Sequence, residues 1–537
     1  MTDAVDQRVS FDLPGPEYEK VTWIHNEHGP SSSAPLSRTV CVPMDAPDFD
    51  DGLPNQISVN GYGYSRAHSW PLTSTLSAHL QDGALPEDDS NLLDWRERCL
   101  PLVDAAVTEL DDFDPHSVKA GDWKEVIGIQ QTRISEASRL VHSTAVFHAQ
   151  MFAETFAARY IEEFGEDKQA VGLALLQGFP NVSTDRAVDL WDLGRIARRS
   201  PSVMSAIACG TLPSGDDKVE VEFRDAFASA MDKYGHINPL GAEDLPIWRE
   251  DMSMPISIIR QYATEDEERD PRLGEQAAVA RRRELETALS EAARSSDGAA
   301  ELVKLLPYGQ HIGPVTEDHN LLADQRLTDA SRQRWLRVGE MLRERGAVDQ
   351  SDDVFYYEFG ELLELLESDD SIGAEVIATR REQLSKWRTV IPPAVLGNGA
   401  FVEEVVAEEI VVTGMAAAAG SYNGRARVIQ TLAEAGKLEE GDVLVCDLTT
   451  PSWTPYFAVI GAVVTNIGST LAHGAIVARE FGIPAVVATG NGTSVIPDGA
   501  TVTVNGTAGT VTVEWAERRI RNGGSGIRRT PPHLSCT

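Results

Sequence analysis

One histidine, His473, stands where a protein could carry a phosphoryl group. It lies between a turn-rich loop and a segment of helical composition, and β-type runs flank this unit at 461–465 and 483–487. A loop that leads from a strand into a helix ends at the helix N-terminus, where free amide groups and the helix dipole favour an anion. A neutral imidazole nitrogen there could accept phosphate, supported by small and hydroxylic neighbours: Gly468, Ser469, Thr470 and Gly474. The alternative is a purely structural histidine in an αβ unit.

The sequence from 470 to 487, TLAHGAIVAREFGIPAVV, favours the first interpretation. It resembles the phosphohistidine signature of the mobile domain in phosphoenolpyruvate-utilising enzymes. Shorter runs extend the resemblance over about residues 411 to 515: GRARV at 424–428, GDVLV at 441–445, TPSWTP at 450–455, DGATV at 498–502 and NGTAGTV at 505–511. The resemblance implies that His473 is the phosphorylated residue. Family members often carry serine where this chain has Ala472, so hydroxyl help to the phosphate would come from Thr470 or Ser469.

Composition narrows the class of protein. The length of 537 residues favours roughly three domains. With 47 Lys and Arg against 83 Asp and Glu, the net charge of −36 repels nucleic acid and anionic membranes. The first residues lack the features of a signal peptide, and no run approaches the ~20 apolar residues of a membrane span. Cysteines without CxxC spacing favour reduced thiols and a cytoplasmic location: Cys41, Cys99, Cys209, Cys446 and Cys536.

The pattern of apolar residues divides the chain into five parts. Residues 1–100, rich in Pro, Gly, Ser and Asp, are predicted to be an irregular N-terminal arm that packs on the following domain. Apolar residues at three- and four-residue spacing predict a helical domain over 101–395, and a resemblance described below implies that this domain binds the acceptor. A hinge or linker follows at 396–410, the phosphohistidine domain spans 411–515, and 516–537 is predicted to be a flexible tail. The predicted class is multidomain α + α/β, with a large mainly helical acceptor domain followed by a swivelling β/β/α phosphohistidine domain.

Helical periodicity also predicts individual elements of the acceptor domain. Helices are expected at about 139–164, 185–199, 219–234, 276–295, 324–346 and 358–387. Asp185 and Asp324 could serve as N-caps, and Gly346 could serve as a C-terminal stop.

A second resemblance and a missing motif together suggest a reaction. Short motifs resemble the acceptor-binding region of rifampin phosphotransferase, at 23–30, 35–36, 175–181, 234–236, 246–251 and 352–356. No G-x-x-x-x-G-K-[ST] motif is present, since GNGTS at 490–494 lacks the lysine, and no stretch resembles an ATP-grasp region. No cofactor is therefore assigned to this chain, and ATP and Mg²⁺ are expected on a separate ATP-grasp subunit.

A two-subunit layout of this kind resembles phenylphosphate synthase. The resemblance implies an enzyme that converts ATP, acceptor and water into AMP, phosphate and a phosphorylated acceptor. The expected acceptor is a small phenolic or aromatic hydroxyl compound, whose phosphorylation activates the ring for later carboxylation in aromatic catabolism. Two alternatives stay open: a rifampin-like antibiotic phosphotransferase with a separate ATP domain, and a phosphocarrier or regulatory module without catalytic activity.

The acceptor hydroxyl needs a base or a cation beside its oxygen, because the pKa of a phenol is about 10. His236 is the predicted base, Arg249 or Lys304 would balance phosphate charge, and Tyr234 is a further acceptor-binding candidate. The alternatives are a helix cap for His236 and a surface ion pair between Arg249 and the carboxylate at 250 or 251.

The other histidines receive no metal in this interpretation. His142 and His148 lie on an apolar helical run and are predicted to be core or pocket-wall residues, while the spacing of His25 and His28 is no established metal signature. One histidine must meet both the ATP site and the acceptor site. The domain from about 411 to 515 is therefore expected to swing about the segment from Pro392 to about Val412.

Overall fold

The chain divides into a mainly helical region and a C-terminal sheet domain. A computed structural model describes residues 11–25, 34–40, 56–60, 62–66, 95–165, 168–239, 241–368, 371–388, 395–397, 411–430, 432–470 and 472–514. This division confirms the predicted multidomain α + α/β class. Residues 398–410 of the linker predicted at 396–410, the predicted tail and His28 lie outside the described residues.

The helices of the first region bury apolar faces against one another. They are α1 (Pro35–Val40), α2 (Trp95–Asp111), α3 (Trp123–Leu140), α4 (Phe147–Phe164), α5 (Gln169–Ala174), α6 (Val182–Ala197), α7 (Pro201–Ala208), α8 (Lys218–Tyr234), α9 (Ser253–Thr264), α10 (Pro271–Ala292), α11 (Asp297–Ile312), α12 (Val315–His319), α13 (Gln325–Glu344), α14 (Phe359–Ser368) and α15 (Ala374–Trp387). Each helical stretch predicted from periodicity contains helix, and the stretch 358–387 holds two helices, α14 and α15.

Two of the three predicted helix signals are corrected by the structure. Asn181, rather than Asp185, caps α6, because its side-chain oxygen accepts hydrogen bonds from the amides of residues 183 and 184 at 3.1 and 3.0 Å. Asp324 is not a cap, since its backbone is helical (φ −63°, ψ −47°) and its side chain makes no capping hydrogen bond. Gly346 follows α13 with a φ of +72°, the left-handed conformation that glycine allows at a helix end.

Two helical runs contain a π-helical segment. Val141–Val146 joins α3 to α4, and Asn320–Asp324 joins α12 to α13. Hydrogen bonds in such a segment span five residues rather than four. Side chains on either side of it therefore point in directions that a regular helix would not give them.

Part of the arm that was predicted to be irregular is a sheet. β1 (Thr22–His25), β2 (Gln56–Val59) and β3 (Tyr62–Arg66) pair antiparallel with β4 (Val395–Gly397) in the order β2-β3-β1-β4. Trp23 and Tyr64 are fully buried in the apolar cluster of this sheet. β1 and β4 are short and lie more than 300 residues apart along the chain. β2 and β3 form a local hairpin with apolar residues at every second position, Ile57, Val59, Tyr62 and Tyr64, and the prediction of an irregular arm overlooked this alternation.

The C-terminal domain is built on a mixed sheet. In spatial order the strands of its described part are β5 (Val411–Thr413), β12 (Thr510–Glu514), β11 (Thr501–Asn505), β7 (Ser421–Val428), β8 (Val443–Cys446), β9 (Ala462–Thr465), β10 (Ala485–Val487) and β6 (Met415–Ala418). The strands β7 to β10 are parallel, and the other neighbours are antiparallel. β8 and β9 are buried throughout, as is typical of strands covered on both faces. Between β9 and β10 lies α16 (His473–Glu480), which completes the predicted strand–loop–helix–strand unit, and α17 (Gly492–Val495) follows β10.

The sheet domain packs directly on the helical region. One apolar cluster contains side chains from both, among them Trp191, Ile259, Phe457 and Val477. Polar contacts border this shared core: Gln261 Nε2 donates to the carbonyl oxygen of Leu438 at 3.2 Å, and Arg269 Nε donates to Glu440 Oε1 at 3.2 Å. The shared core therefore holds α16 against the helical region.

Two expectations about the protein's environment can be compared with the structure. Within the described residues, none of the helices combines the length and the apolar composition that crossing a membrane requires. Cys99, Cys209 and Cys446 are free thiols, and Cys41 and Cys536 lie outside the described part of the chain. The cytoplasmic location stays a prediction.

Candidate phosphoryl-transfer site

His473 is the first residue of α16. The loop before it turns at Gly468, whose φ of +129° favours glycine, and the amide of Ala472 donates to the carbonyl oxygen of Ser469 at 3.0 Å. Ala472 itself is extended (φ −67°, ψ 154°), and its carbonyl oxygen accepts from Ala475 and Ile476. The amides of the first helical turn therefore lie beside the imidazole, as the sequence predicted for an anion site.

A small residue is required directly after the histidine. A Cβ added at Gly474 would lie 2.6 Å from Thr449 Oγ1, well inside van der Waals contact. Thr449 Oγ1 is buried and has no hydrogen-bond partner among the described residues. A phosphate oxygen at the N-terminus of α16 would satisfy this hydroxyl, since a buried polar atom without a partner is costly.

The imidazole of His473 contacts both parts of the protein. Its Nδ1 lies 3.2 Å from Glu317 Oε2 and 3.3 Å from Glu317 Oε1, on α12 of the helical region. Its Nε2 lies 3.4 Å from Thr454 Oγ1, and the ring packs edge-on against Phe457 at 6.1 Å between centroids. A carboxylate only accepts hydrogen bonds, so Nδ1 carries the proton and Nε2 keeps its lone pair. Nε2 is therefore the nitrogen able to bind a phosphoryl group.

Glu317 is held in place from the helical side. Its side chain is buried, and its Oε2 accepts a hydrogen bond from Ser183 Oγ at 3.1 Å. The guanidinium of Arg186 is buried nearby. Burial lowers the pKa of Arg186 to about 10, and the charge of Glu317 is among the opposing influences. The carboxylate thus has a hydroxyl donor and a cation in its surroundings, which allows a buried negative charge to persist.

A narrow cavity adjoins Glu317. Its volume is about 40 Å³, and most of its wall is apolar: Ala149, Phe152, Ala153, Leu173, Leu176, Phe179 and Ile476, with Gln177, Asn181, Gly309, Gly313, Pro314, Thr316, Glu317 and Glu480 completing it. Ile476 and Glu480 come from α16, so the carrier helix closes one side of this cavity.

Glu480, on the same helix as His473, links the two parts of the protein. Its carboxylate accepts a hydrogen bond from the amide of Gly178, 3.2 Å from each oxygen. Burial raises the pKa of Glu480 to about 7, against the lowering effects of the Gly178 amide and of Arg479. The contact between α16 and the helical region therefore includes a group that titrates near neutral pH.

The predicted hydroxyl neighbours of His473 have different surroundings. Ser469 is exposed, whereas Thr470 is buried and its carbonyl oxygen accepts from Arg479 Nη1 at 2.8 Å. Arg479 also donates to the carbonyl oxygen of Ala417 at 2.7 Å, so this arginine fixes the loop before the histidine. The hydroxyls that lie at His473 and at Gly474 belong to Thr454 and Thr449 instead.

The structure does not bring the predicted acceptor residues to this cavity. His236 is partly buried, its Nε2 lies 3.0 Å from the carbonyl oxygen of Leu321, and burial lowers its pKa to about 4. Tyr234 donates its hydroxyl to Asp189 Oδ2 at 2.8 Å. Neither residue lines the cavity beside Glu317. The carboxylate that contacts His473 is Glu317, and the role of His236 as a base stays a prediction.

The two predicted cations also lie away from the cavity. Arg249 is 54% exposed and its Nη1 lies 3.8 Å from Asp329 Oδ2, so its nearest acid is not the adjacent carboxylate at 250 or 251. Lys304 is exposed on α11. His148 packs edge-on against Tyr308 at 6.1 Å, and His142 packs against His319 at 5.3 Å. His142 and His148 do not line this cavity.

Sequence reasoning missed three residues of the site. Thr449 and Thr454 lie in or beside the TPSWTP run, which marked the resemblance but had no role assigned to its hydroxyls. Glu317 lies 156 residues from His473 along the chain. Its only local signal is an acidic residue in a helical stretch, and such residues are usually solvated.

Comparisons with known proteins agree with this geometry. Residues 438–509 match the PEP-utilising enzyme mobile domain, and residues 142–310 match the rifampicin phosphotransferase fourth domain. Chondramide synthase of Chondromyces crocatus is 31% identical over 462 residues, covering 78% of this chain and 12% of the relative. Rifampicin phosphotransferase of Bacillus subtilis is 27% identical over 432 residues, covering 77% and 49%. Phosphoenolpyruvate synthase of Aeropyrum pernix is 50% identical over 111 residues, covering 20% and 14%.

The chain spans less than half the length of each of these relatives. One matched segment lies in the sheet domain and includes α16, and the other covers residues 142–310 of the helical region and ends before Glu317. Both resemblances found in the sequence are thereby confirmed, and the chain carries a mobile domain of the PEP-utilising enzymes together with a rifampicin-phosphotransferase fourth-domain region.

Proposed function

We propose that this chain is the phosphohistidine-carrying subunit of an ATP-dependent phosphotransferase that acts on a small phenolic or other aromatic hydroxyl compound. The observation that carries the proposal is the pairing of His473 with Glu317, which also lines a narrow, mostly apolar cavity. This pairing directs Nδ1–H to Glu317 and leaves Nε2 to carry the phosphoryl group that an acceptor hydroxyl receives. In this proposal a separate ATP-grasp subunit binds ATP and Mg²⁺ and phosphorylates His473.

The transfer step follows from the orientation of the imidazole. The phosphoryl group is carried on Nε2 of His473, while Nδ1–H donates to Glu317. The acceptor oxygen attacks phosphorus in line with Nε2, the O–P bond forms and the N–P bond breaks, and Nε2 recovers its lone pair. The proton of the acceptor hydroxyl passes, by way of a phosphoryl oxygen, to the lone pair that Nε2 recovers, and the carboxylate of Glu317 stabilises the resulting imidazolium through Nδ1–H. Helix N-terminal amides and Thr449 Oγ1 stabilise the phosphoryl oxygens during the transfer.

The size and lining of the cavity favour a small acceptor. About 40 Å³ holds about three water molecules, and the wall is mainly aliphatic and aromatic. An acceptor enters when α16 moves away, because Ile476 and Glu480 close one side of the cavity. The same movement would bring His473 to the ATP site of the partner, in agreement with the predicted swing of the domain.

A second candidate is supported by the comparisons. The relative from Bacillus subtilis is named rifampicin phosphotransferase and matches 77% of this chain. In that case the acceptor would be an antibiotic hydroxyl, and the cavity would have to open widely when the sheet domain leaves. A carrier or regulatory module without an acceptor is the third possibility, and it predicts no acceptor phosphorylation.

Reconstitution separates these candidates. The full chain is mixed with an ATP-grasp subunit and Mg-ATP, and AMP formation is measured with phenol or with rifampicin as the acceptor. The proposal expects no ATP consumption by the chain alone, and AMP formation with the partner that depends on phenol and on His473. Turnover with rifampicin but not with phenol would establish the second candidate. ATP consumption by the chain alone would contradict the two-subunit arrangement.

A further inference from the structure

A second cluster of histidine and carboxylate side chains lies on the helical side of the site, at the far end of α12 from the cavity-lining Thr316. Asp324 Oδ2 lies 3.5 Å from His142 Nε2 and 3.7 Å from His319 Nε2. One ligand atom from each residue lies within 4.8 Å of the other two. The two imidazole rings stand edge to face, with 5.3 Å between centroids. The three side chains thus converge on one point.

The outer nitrogens of both rings are held by backbone carbonyls. His142 Nδ1 lies 2.9 Å from the carbonyl oxygen of Ser138, and His319 Nδ1 lies 3.0 Å from the carbonyl oxygen of Val315. A carbonyl oxygen accepts only, so each Nδ1 carries a proton and a neutral ring presents the lone pair of Nε2 to Asp324. Metal-binding histidines are usually oriented in this way, by a hydrogen bond from the nitrogen that does not bind the metal.

The backbone at this cluster is unusual on both helices. His142 lies in the π-helical segment Val141–Val146, and His319 immediately precedes the segment Asn320–Asp324, which ends with Asp324. Well under about 1% of residues adopt π-helix, and such segments occur frequently at functional sites. Two of them meet where the three side chains converge. The backbone is therefore irregular at the positions that aim these ligands.

Electrostatics requires a positive species between the three groups. Two imidazole lone pairs and a carboxylate oxygen repel one another at these distances unless a proton or a cation lies between them. One proton serves only one contact, between Asp324 and a single ring, whereas a divalent cation would satisfy all three groups.

We propose that His142, His319 and Asp324 bind one divalent transition-metal ion, of which Zn²⁺ fits best. Imidazole and carboxylate ligands suit such ions. The separations of 3.5 and 3.7 Å are close to the edge of about 3.4 Å in a tetrahedral Zn²⁺ site. The side chains of His142, His319 and Asp324 are 20%, 11% and 27% exposed, so solvent can supply the ion and a fourth ligand.

The position of the site suggests what the ion does. His319 is the last residue of α12, two residues after Glu317, while His142 and Asp324 belong to other helical segments. An ion bound by all three would connect α12 to both π-helical segments. It would thereby fix the helix that presents Glu317 to His473, without touching the acceptor cavity. The ion is a positioning element, and its presence does not depend on the identity of the acceptor.

Metal binding by the full chain tests this proposal independently of the phosphotransferase function. The protein is stripped with a chelator and titrated with ZnCl₂ by calorimetry, and bound metal is counted by elemental analysis. The variants are His142→Ala, His319→Ala and the nearly isosteric Asp324→Asn. His116→Ala is the matched control, because His116 is 58% exposed and remote from the cluster in sequence. We expect one Zn²⁺ per chain, a loss of affinity of at least about 100-fold in each cluster variant, and no change in the control.

A second measurement covers variants that do not fold. Wild-type protein loaded with Co²⁺ should show the intense visible d–d bands of a tetrahedral nitrogen and oxygen site, and circular dichroism should confirm folding of each variant. The proposal is overturned if the wild type binds no Zn²⁺ or Co²⁺. It is also overturned if folded Asp324→Asn and His319→Ala bind the ion as tightly as the wild type, or if Co²⁺ gives the weak spectrum of a hydrated octahedral ion.

Discussion

Replacing Glu317 with glutamine tests the role of its carboxylate with little change in shape. Both carboxylate oxygens lie within 3.3 Å of His473 Nδ1, and Oε2 accepts from Ser183 Oγ at 3.1 Å. A hydrogen bond to a charged group contributes about 1.5–3 kcal/mol, which is about 10- to 150-fold in a rate that depends on it. We therefore expect Glu317→Gln to slow transfer from phosphohistidine to acceptor by about 10- to 150-fold.

Ser183→Ala is the matched control for this variant. It removes one donor to the same carboxylate and keeps the charge, so we expect a decrease of about tenfold at most. The histidine is phosphorylated chemically with potassium phosphoramidate, and loss of the acid-labile phosphate after addition of phenol is followed by rapid quenching. This assay needs no partner subunit. If Glu317→Gln is fully phosphorylated and transfers as fast as Ser183→Ala, the charge of Glu317 does not assist the transfer.

Three further predictions concern the carrier helix. His473→Ala should abolish the acid-labile, base-stable label obtained from ATP and the partner. Because His473 is only 8% exposed, the substitution should also lower the free energy of unfolding by about 1–3 kcal/mol. Unchanged labelling would exclude this residue as the carrier. Burial raises the pKa of Glu480 from 4.5 to about 7. The neutral carboxyl should therefore contribute about 3 kcal/mol to the free energy of unfolding below pH 4.5, and this contribution should be lost as the pH rises through 7. Urea unfolding at pH 5 and pH 8 measures this loss, which should be absent in Glu480→Gln. Cysteines at Arg269 and Glu440 are bridged by a short bismaleimide in a Cys209→Ser background. The bridge should stop steady turnover and still allow one preloaded phosphoryl group to be transferred to an acceptor that was bound before bridging. Full turnover of the bridged protein would show that the domain need not swing.

The sequence predicted the parts of the site that are local. The loop, the helix start and His473 follow one another along the chain, so periodicity and turn residues were sufficient to place them. Glu317 could not be placed at the site from the sequence, because it contacts His473 only where two regions of the chain pack together, and the two residues are 156 positions apart. His236 had a favourable residue type, but the fold turns its ring towards the backbone at Leu321.

Most of the elements that were missed share a physical cause. In the first sheet, β1 pairs with β4 from the other end of the helical region, so this pairing depends on contacts that no short window contains. The β2–β3 hairpin is local, and its alternation could have been recognised in the sequence. The π-helical segments arise from how α3–α4 and α12–α13 pack, and their residues have ordinary helical composition. The sequence around His142 therefore looked like an ordinary apolar helix, and its approach to His319 and Asp324 was not predicted. Tertiary packing, rather than local propensity, determines these features.

The core shared by the two regions has a thermal consequence. Each swing of the sheet domain must expose apolar side chains such as Trp191, Phe457 and Val477 that are buried while it is docked. Hydration of apolar surface raises the heat capacity, so undocking has a positive heat-capacity change unless the partner subunit covers the same surface. The docking equilibrium then depends on temperature in a curved manner, with docking strongest at an intermediate temperature. A partner that covers this surface would make the curve flatter, and the chain would release its histidine most readily in the presence of the subunit that loads it.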